Sequence, residues 1–311
     1  MIKYLENFLN GPERALGALV ISVSILWPII ALVKDVRIDL LLTLPAIVLE
    51  LSLFVVGIYL RVRIKWEAVA KLFIALSFYL TVLRCVSNLI SLRLPIDGLW
   101  LDYVLQGTDD AIGYSWIGFV EWMSMNPDVA NFLAIVYHTS LGQLAVLITF
   151  LALRRYDKTL YRFLASAAAS LFLTVSIWMI WPSFGPAMVA TIPQSFEDSF
   201  NMIVNSGFQN QMYRSIEVGV ESVPPRTTLG LVAFPSYHTI MTLLVIVYAW
   251  STPLRWPFFL FNLAMWPAIL GQGAHYVADV AAGFVVFWIG AWFARAVIKG
   301  PEVWPKPGDI T

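Results

Sequence analysis

Two short segments hold the groups best suited to chemistry in this chain. Phe234-Pro-Ser-Tyr-His-Thr239 and Gly273-Ala-His-Tyr-Val-Ala-Asp279 carry two of its three histidines, each where a polar stretch meets a long apolar run. Ser236 can cap the helix that follows, and Pro235 is tolerated beside a helix start. Free N–H groups at such a start, reinforced by the helix dipole, attract an anion. His238, two residues on, can present its ring to that anion. His275 and Asp279 are spaced i, i+4 and so share one helical face. A carboxylate bonded to one ring nitrogen fixes the tautomer and makes the other nitrogen the better nucleophile. Such a pair can attack phosphorus, and a second histidine can protonate the departing alkoxide and later activate an acceptor. The chemistry within reach is phosphoryl transfer, with His275 as nucleophile, Asp279 as its partner and His238 as general acid.

The elements that must position these groups are membrane spans. Apolar residues make up 59% of the 311, charged ones only 13%, and mean hydropathy is +0.75, which reads as an all-α polytopic membrane protein. Net charge is zero and no basic stripe suits nucleic acid. The histidines show no ligand-spaced cluster, so neither a metal nor another cofactor is implied. Cys85 is the lone cysteine, which excludes a disulfide within the chain.

Eight apolar runs near the ~20 residues of a spanning helix fall at about 15–33, 40–60, 68–90, 129–153, 161–182, 231–251, 254–272 and 276–298. Polar excursions at 91–128 and 183–230 interrupt them, the first with Asp97, Asp102, Asp109, Asp110, Glu121 and Asp128, the second with Glu197, Asp198, Glu217 and Glu221. These acidic residues read as solvated surface. The segment 1–67 reads as a two-helix addition, 68–299 as a six-helix core and 300–311 as a flexible tail. Fourteen of the twenty Lys and Arg, from Lys3 to Lys306, fall at one face of this arrangement; Lys34, Arg37, Arg84, Arg93, Arg214 and Arg226 fall at the other. The positive-inside rule then places both termini in the cytoplasm. His238 and His275 each begin a span at the opposite face, extracytoplasmic or lumenal.

Pro235-Ser-Tyr-His238, followed by His275-x-x-x-Asp279, resembles the type 2 phosphatidic acid phosphatase superfamily, whose later motifs read P-S-G-H and S-R-x5-H-x3-D. The form His275-Tyr-Val-Ala-Asp-Val280 is similar to the branch holding inositol phosphorylceramide and sphingomyelin synthases. Trp181-Pro-Ser-Phe-Gly-Pro186 stands where the superfamily has its first motif, and Asp110-Ala-Ile-Gly-Tyr-Ser-Trp116 and Tyr137-His-Thr-Ser-Leu-Gly-Gln143 are similar to segments of bacterial members of that branch. The resemblance covers about residues 70–298. It implies metal-independent phosphoryl chemistry on a membrane lipid, with the last six helices forming the catalytic core.

Two departures stand out. The first motif of the superfamily supplies a Lys and an Arg to the phosphate, and 181–186 has neither. The Ser-Arg that precedes the nucleophile is replaced by Ala268 and Ile269. Ser236 and Tyr237, with Arg226 or Arg214 from the second excursion, are the remaining candidates to hold phosphate. Among the other polar residues, His138 reads as interhelical packing, with a place in the substrate chamber as the alternative. Glu50 reads as protonated or bonded to another span, and Arg84 as either a snorkelling helix-end residue or a phosphate ligand. The rival to an enzyme is a catalytically silent lipid-binding or scaffolding protein that keeps the fold.

Overall fold

A computed structural model of the chain describes residues 8–97, 100–224 and 230–299. Lys3, Arg226, Lys306 and the tail 300–311 lie outside the described residues. The described residues are mostly helical. Among the described residues five helices are long and apolar enough to cross a membrane: α1 (Gly11–Val33), α2 (Leu40–Tyr59, prolonged by a π-turn to Ile64), α3 (Glu67–Ser91), α8 (Asp157–Ile180) and α14 (Val277–Val297). A sixth span forms from α6 (Pro127–His138) and α7 (Ser140–Leu153), which meet at a 45° bend.

The other two expected spans are not continuous helices of spanning length. The run at 231–251 becomes helical only at α11 (Tyr237–Ala249), 13 residues or about 20 Å of axis. The run at 254–272 divides at Ala264 into α12 (Arg255–Leu263) and α13 (Met265–Gly271). Pro267 explains the break, because it has no N–H to return to the Leu263 carbonyl. The first excursion contains α4 (Trp100–Ala111) and α5 (Trp116–Met125); the second contains the short α9 (Gln194–Glu197) and α10 (Ser206–Val218).

Helices α7, α8, α11 and α14 enclose the largest apolar cluster, with Leu147, Phe163, Ile240, Leu244, Phe287 and Ala291 in its centre. Helices α1 and α2 both pack on α3. A two-residue parallel pairing ties β1 (Arg37–Ile38), between α1 and α2, to β2 (Ser222–Val223) after α10.

Charges buried in this apolar setting are matched. Asn10 caps α1 by accepting the Glu13 N–H, and the Glu13 carboxylate returns to the Asn10 N–H, a reciprocal cap. The same carboxylate takes two N–H groups of Arg61, at 2.6 and 2.9 Å, and the hydroxyl of Tyr161 at 2.7 Å. It therefore joins α1, the end of α2 and the start of α8. Halfway along the bundle Arg84 of α3 grips Glu50 of α2 with two N–H···O bonds of 2.8 Å, and Thr81 adds a third at 3.0 Å. Glu50 is thus bonded between spans. Arg84 is turned inward through Nε and Nη2 rather than snorkelling to a surface, and its Nη1 is buried without a partner.

Arg84→Ala leaves a buried carboxylate without its partner and is expected to cost about 3–5 kcal/mol, read as a lower thermal unfolding midpoint in detergent. The double change Glu50→Leu with Arg84→Met, which removes both charges, should recover most of that loss. Equal losses in the two proteins would show that the ion pair is not the source.

Candidate active site

The two histidine segments meet at one end of the bundle because the starts of α11 and α14 are bonded to each other. Ser236 is fully buried and caps α11, its hydroxyl accepting the Thr239 N–H at 3.3 Å. Its own N–H donates to the Asp279 carbonyl at 3.0 Å. That crossing is close enough to require Gly283 on α14, where a Cβ would lie 2.7 Å from the Ser236 carbonyl oxygen and 2.8 Å from the Thr239 Cβ.

Asp279 is completely buried in the first turn of α14. Its Oδ2 accepts the Tyr276 N–H at 2.9 Å and lies 3.1 Å from His275 Nδ1. The two do not share a helical face as the spacing predicts: His275 precedes the helix, whose N-cap Tyr276 is extended, and the His–carboxylate contact forms across the helix start. His275 Nε2, the nitrogen left over, stands 3.5 Å from Ser236 Oγ. The ring of His238 is 6.1 Å from that of His275, centroid to centroid, and inclined to it by 62°.

His238 has a second neighbour. Tyr137 of α6 stacks on it at 4.1 Å, with its hydroxyl 3.1 Å from Nδ1. The bend after α6 places this tyrosine. Thr139 and Ser140 send their hydroxyls back to the carbonyls of Val136 and Tyr137, both at 2.6 Å, and such back-bonding bends helices. His138, beside it, is exposed at the bend rather than packed between helices.

A cavity of about 220 Å³ opens next to His238, lined by Ser87, Ser91, Thr174, Ser215 and Tyr237 together with apolar side chains. No charged side chain lines it, and His275 does not reach it. The N–H groups of Tyr237 and His238, in the first turn of α11, form no hydrogen bond among the described residues, so two donors remain for an anion. The Ser236 N–H is not a third, since Asp279 takes it. The Tyr237 hydroxyl is buried without a partner. Arg214 is exposed on α10, next to the cavity-lining Ser215, and is bonded to none of these groups. Among the described residues no Lys or Arg makes an ion pair with Asp279.

The acidic excursions are not uniformly solvated. Asp97, Asp110, Glu121, Asp128, Asp198, Glu217 and Glu221 are exposed, but Asp102 and Asp109 on α4 are buried. Asp102 Oδ1 accepts the Ser183 hydroxyl at 2.9 Å and the N–H groups of Phe184 and Gly185 at 2.9 and 2.8 Å. The loop at 183–185, which has no Lys or Arg of its own, is thus held by a carboxylate. Burial pushes the Asp102 carboxyl up to about 7, against the pull of those donors, and the nearby Asp279 carboxylate adds to the rise. Asp109 takes the Val277 N–H with both oxygens, at 3.2 Å each.

The sequence model described as the PAP2 superfamily matches residues 104–293, a stretch that contains both histidine segments. No curated protein and no solved structure matches the chain.

The Asp102 value has a consequence for stability. The ordinary value is 3.8, so between about pH 4 and about pH 7 the unfolded chain ionises before the folded one. The folded state loses stability across that window, and the loss is complete above it. In Asp102→Asn this share of the slope should be absent. The unfolding midpoint of the variant should rise relative to wild type from pH 4 to pH 7, and the difference should stay fixed above that. A constant difference across the range would contradict the assignment.

Proposed function

The chain belongs to the PAP2 superfamily, and from that premise we propose that it is a membrane-embedded lipid phosphatase or phosphotransferase working through a phosphohistidine. The observation that carries this reading is the 3.1 Å contact between His275 Nδ1 and Asp279, with the His238 ring 6.1 Å away. Asp279 accepts the Nδ1 proton and leaves the Nε2 lone pair of His275 for phosphorus. As the new P–N bond forms, the P–O bond to the alcohol breaks. His238, charged only by a proton that the bound phosphate ester brings, gives its Nε2 proton to that oxygen, while its Nδ1–H rests on the Tyr137 oxygen. In the second half an acceptor hydroxyl, from water or a lipid alcohol, loses its proton to His238 and attacks phosphorus. The P–N bond breaks and His275 is regenerated.

Negative charge on the phosphoryl oxygens is met by the free N–H groups of Tyr237 and His238 at the positive end of α11. Ser236 bridges this helix start to His275, and Arg214 or Arg226 supplies a cation from the second excursion. These donors stand in for the arginines absent from the superfamily motifs, and no metal ion is needed. The His275-Tyr-x-x-Asp279-Val280 form supports membership of the sphingolipid synthase branch, and with it transfer to a lipid alcohol. The orientation we infer has both termini in the cytoplasm and the site at the opposite face. Residues 1–67 are an addition to a core at 68–299.

Purified protein incubated in EDTA with a panel of lipid phosphates and phosphodiesters, with free phosphate and new lipids followed separately, tests this. Turnover should survive EDTA and fall to background in His275→Ala. In His238→Ala it should fall by a factor on the order of 10²–10⁴. Full activity in His275→Ala would refute the reading, and lipid bound without turnover would favour the silent rival.

A further inference from the structure

The outer helix α4 does more than cover the bundle end. Its buried face consists of Leu101, Asp102, Leu105 and Asp109, and the two carboxylates are seven residues apart, two helical turns on one side. Leu101 and Leu105 pack on Tyr276, whose side chain is fully buried. Each carboxylate reaches the chain on a different side of His275. Asp109 takes the N–H of Val277, the first residue of α14. Asp102 fastens residues 183–185, and Gly185 lies so close to Ala274 that a Cβ there would be 2.2 Å from the Ala274 carbonyl oxygen. Ala274 itself is held at φ +48°, a left-handed conformation that a non-glycine residue keeps only where its surroundings impose it.

We propose that Asp102 and Asp109 are positioning residues, a two-point clamp on α4 that fixes the backbone before and after His275 and so aims its imidazole; this rests on the reading of His275 as the phosphoryl acceptor. Burying a carboxylate is costly unless it is fully hydrogen-bonded. Here both oxygens accept, Oδ2 of Asp102 from the Phe184 N–H at 3.2 Å and both oxygens of Asp109 from the Val277 N–H. An asparagine would turn an NH2 donor toward those same N–H groups, so it holds the backbone less firmly. Both residues act through the backbone and neither touches a reacting atom.

The full-length protein in lipid nanodiscs, labelled with ¹⁵N-histidine, provides the test, since only three histidines contribute signals. Asp102→Ala and Asp109→Ala should each lower kcat by a factor on the order of 10–10², the scale set by misplacing a reacting group by about 1 Å. KM should stay within about threefold on the same argument, and the His275 ring signals should shift. The Asn variants, which keep a weaker acceptor, should fall between alanine and wild type in both readouts. Gly107→Ala, on the open side of α4 with nothing near its new methyl, should match wild type. Unchanged kcat and unchanged His275 signals in the variants would overturn the clamp. If the alanine proteins do not fold, the same comparison of the Asn variants with wild type decides. Faster turnover in Asp102→Asn would also overturn it, because the carboxylate would then be blocking an anion site. Activity that persists in His275→Ala removes the phosphohistidine reading instead, and leaves the ring signals to judge the clamp.

Discussion

The hydrogen bond from the Ser236 N–H to the Asp279 carbonyl is the contact on which the rest of the site depends. It joins two helix starts 43 residues apart in sequence, and the bare backbone of Gly283 lets the helices come close enough to make it. Through it the serine that caps α11 is fixed against the residue that orients His275. One short bond thus sets the distance between the two imidazoles. It also has a chemical consequence, because it removes one amide from the first turn of α11 and leaves the next two free.

Around that bond, polar groups obey the economy of an apolar medium. Buried carboxylates are either gripped by arginine, as Glu13 and Glu50 are, or held by N–H and O–H donors without a cation, as Asp102, Asp109 and Asp279 are, although Oδ1 of Asp279 has no partner. The first kind joins spans to one another. The second kind gathers at a single end of the bundle, where helix starts offer N–H groups that lack partners within their own helices. Function and stability meet there, since the donors left unclaimed, on Tyr237 and His238, are those a phosphate would take. The cavity beside them carries hydroxyls and apolar groups without a formal charge, which suits the uncharged part of an amphiphile more than a second ion.

Much of the site could be read from residue spacing. The interval of four between His275 and Asp279 and the Pro-Ser start of α11 act within one or two turns, where sequence distance and spatial distance coincide. Asp102 and Asp109 are less legible. In so hydrophobic a chain a run of acidic residues between spans looks solvated, and nothing local tells a carboxylate under a loop from one in water. The signal was present only as an interval of seven, flanked by Leu101 and Leu105 on the same helical side. Tyr137 depends on a bend that two hydroxyls produce, and Gly283 on a crossing with a distant helix. The pairing of Arg84 with Glu50 is not legible either, because the two lie 34 residues apart on different spans. The short α11 and divided α12–α13 show the limit of hydropathy, which measures how apolar a run is and not whether proline lets it stay one helix.

The division of labour between the two imidazoles is the central claim, and the leaving group tests it most directly. A phosphate ester with a nitrophenolate leaving group needs no proton, whereas a lipid alcohol does. The His238→Ala protein should release about one equivalent of nitrophenolate in a burst and hold the phosphoryl group as an acid-labile adduct on His275, while its turnover of the lipid ester stays low. An equal loss on both substrates, or phosphorus found on any residue other than His275, would contradict the account.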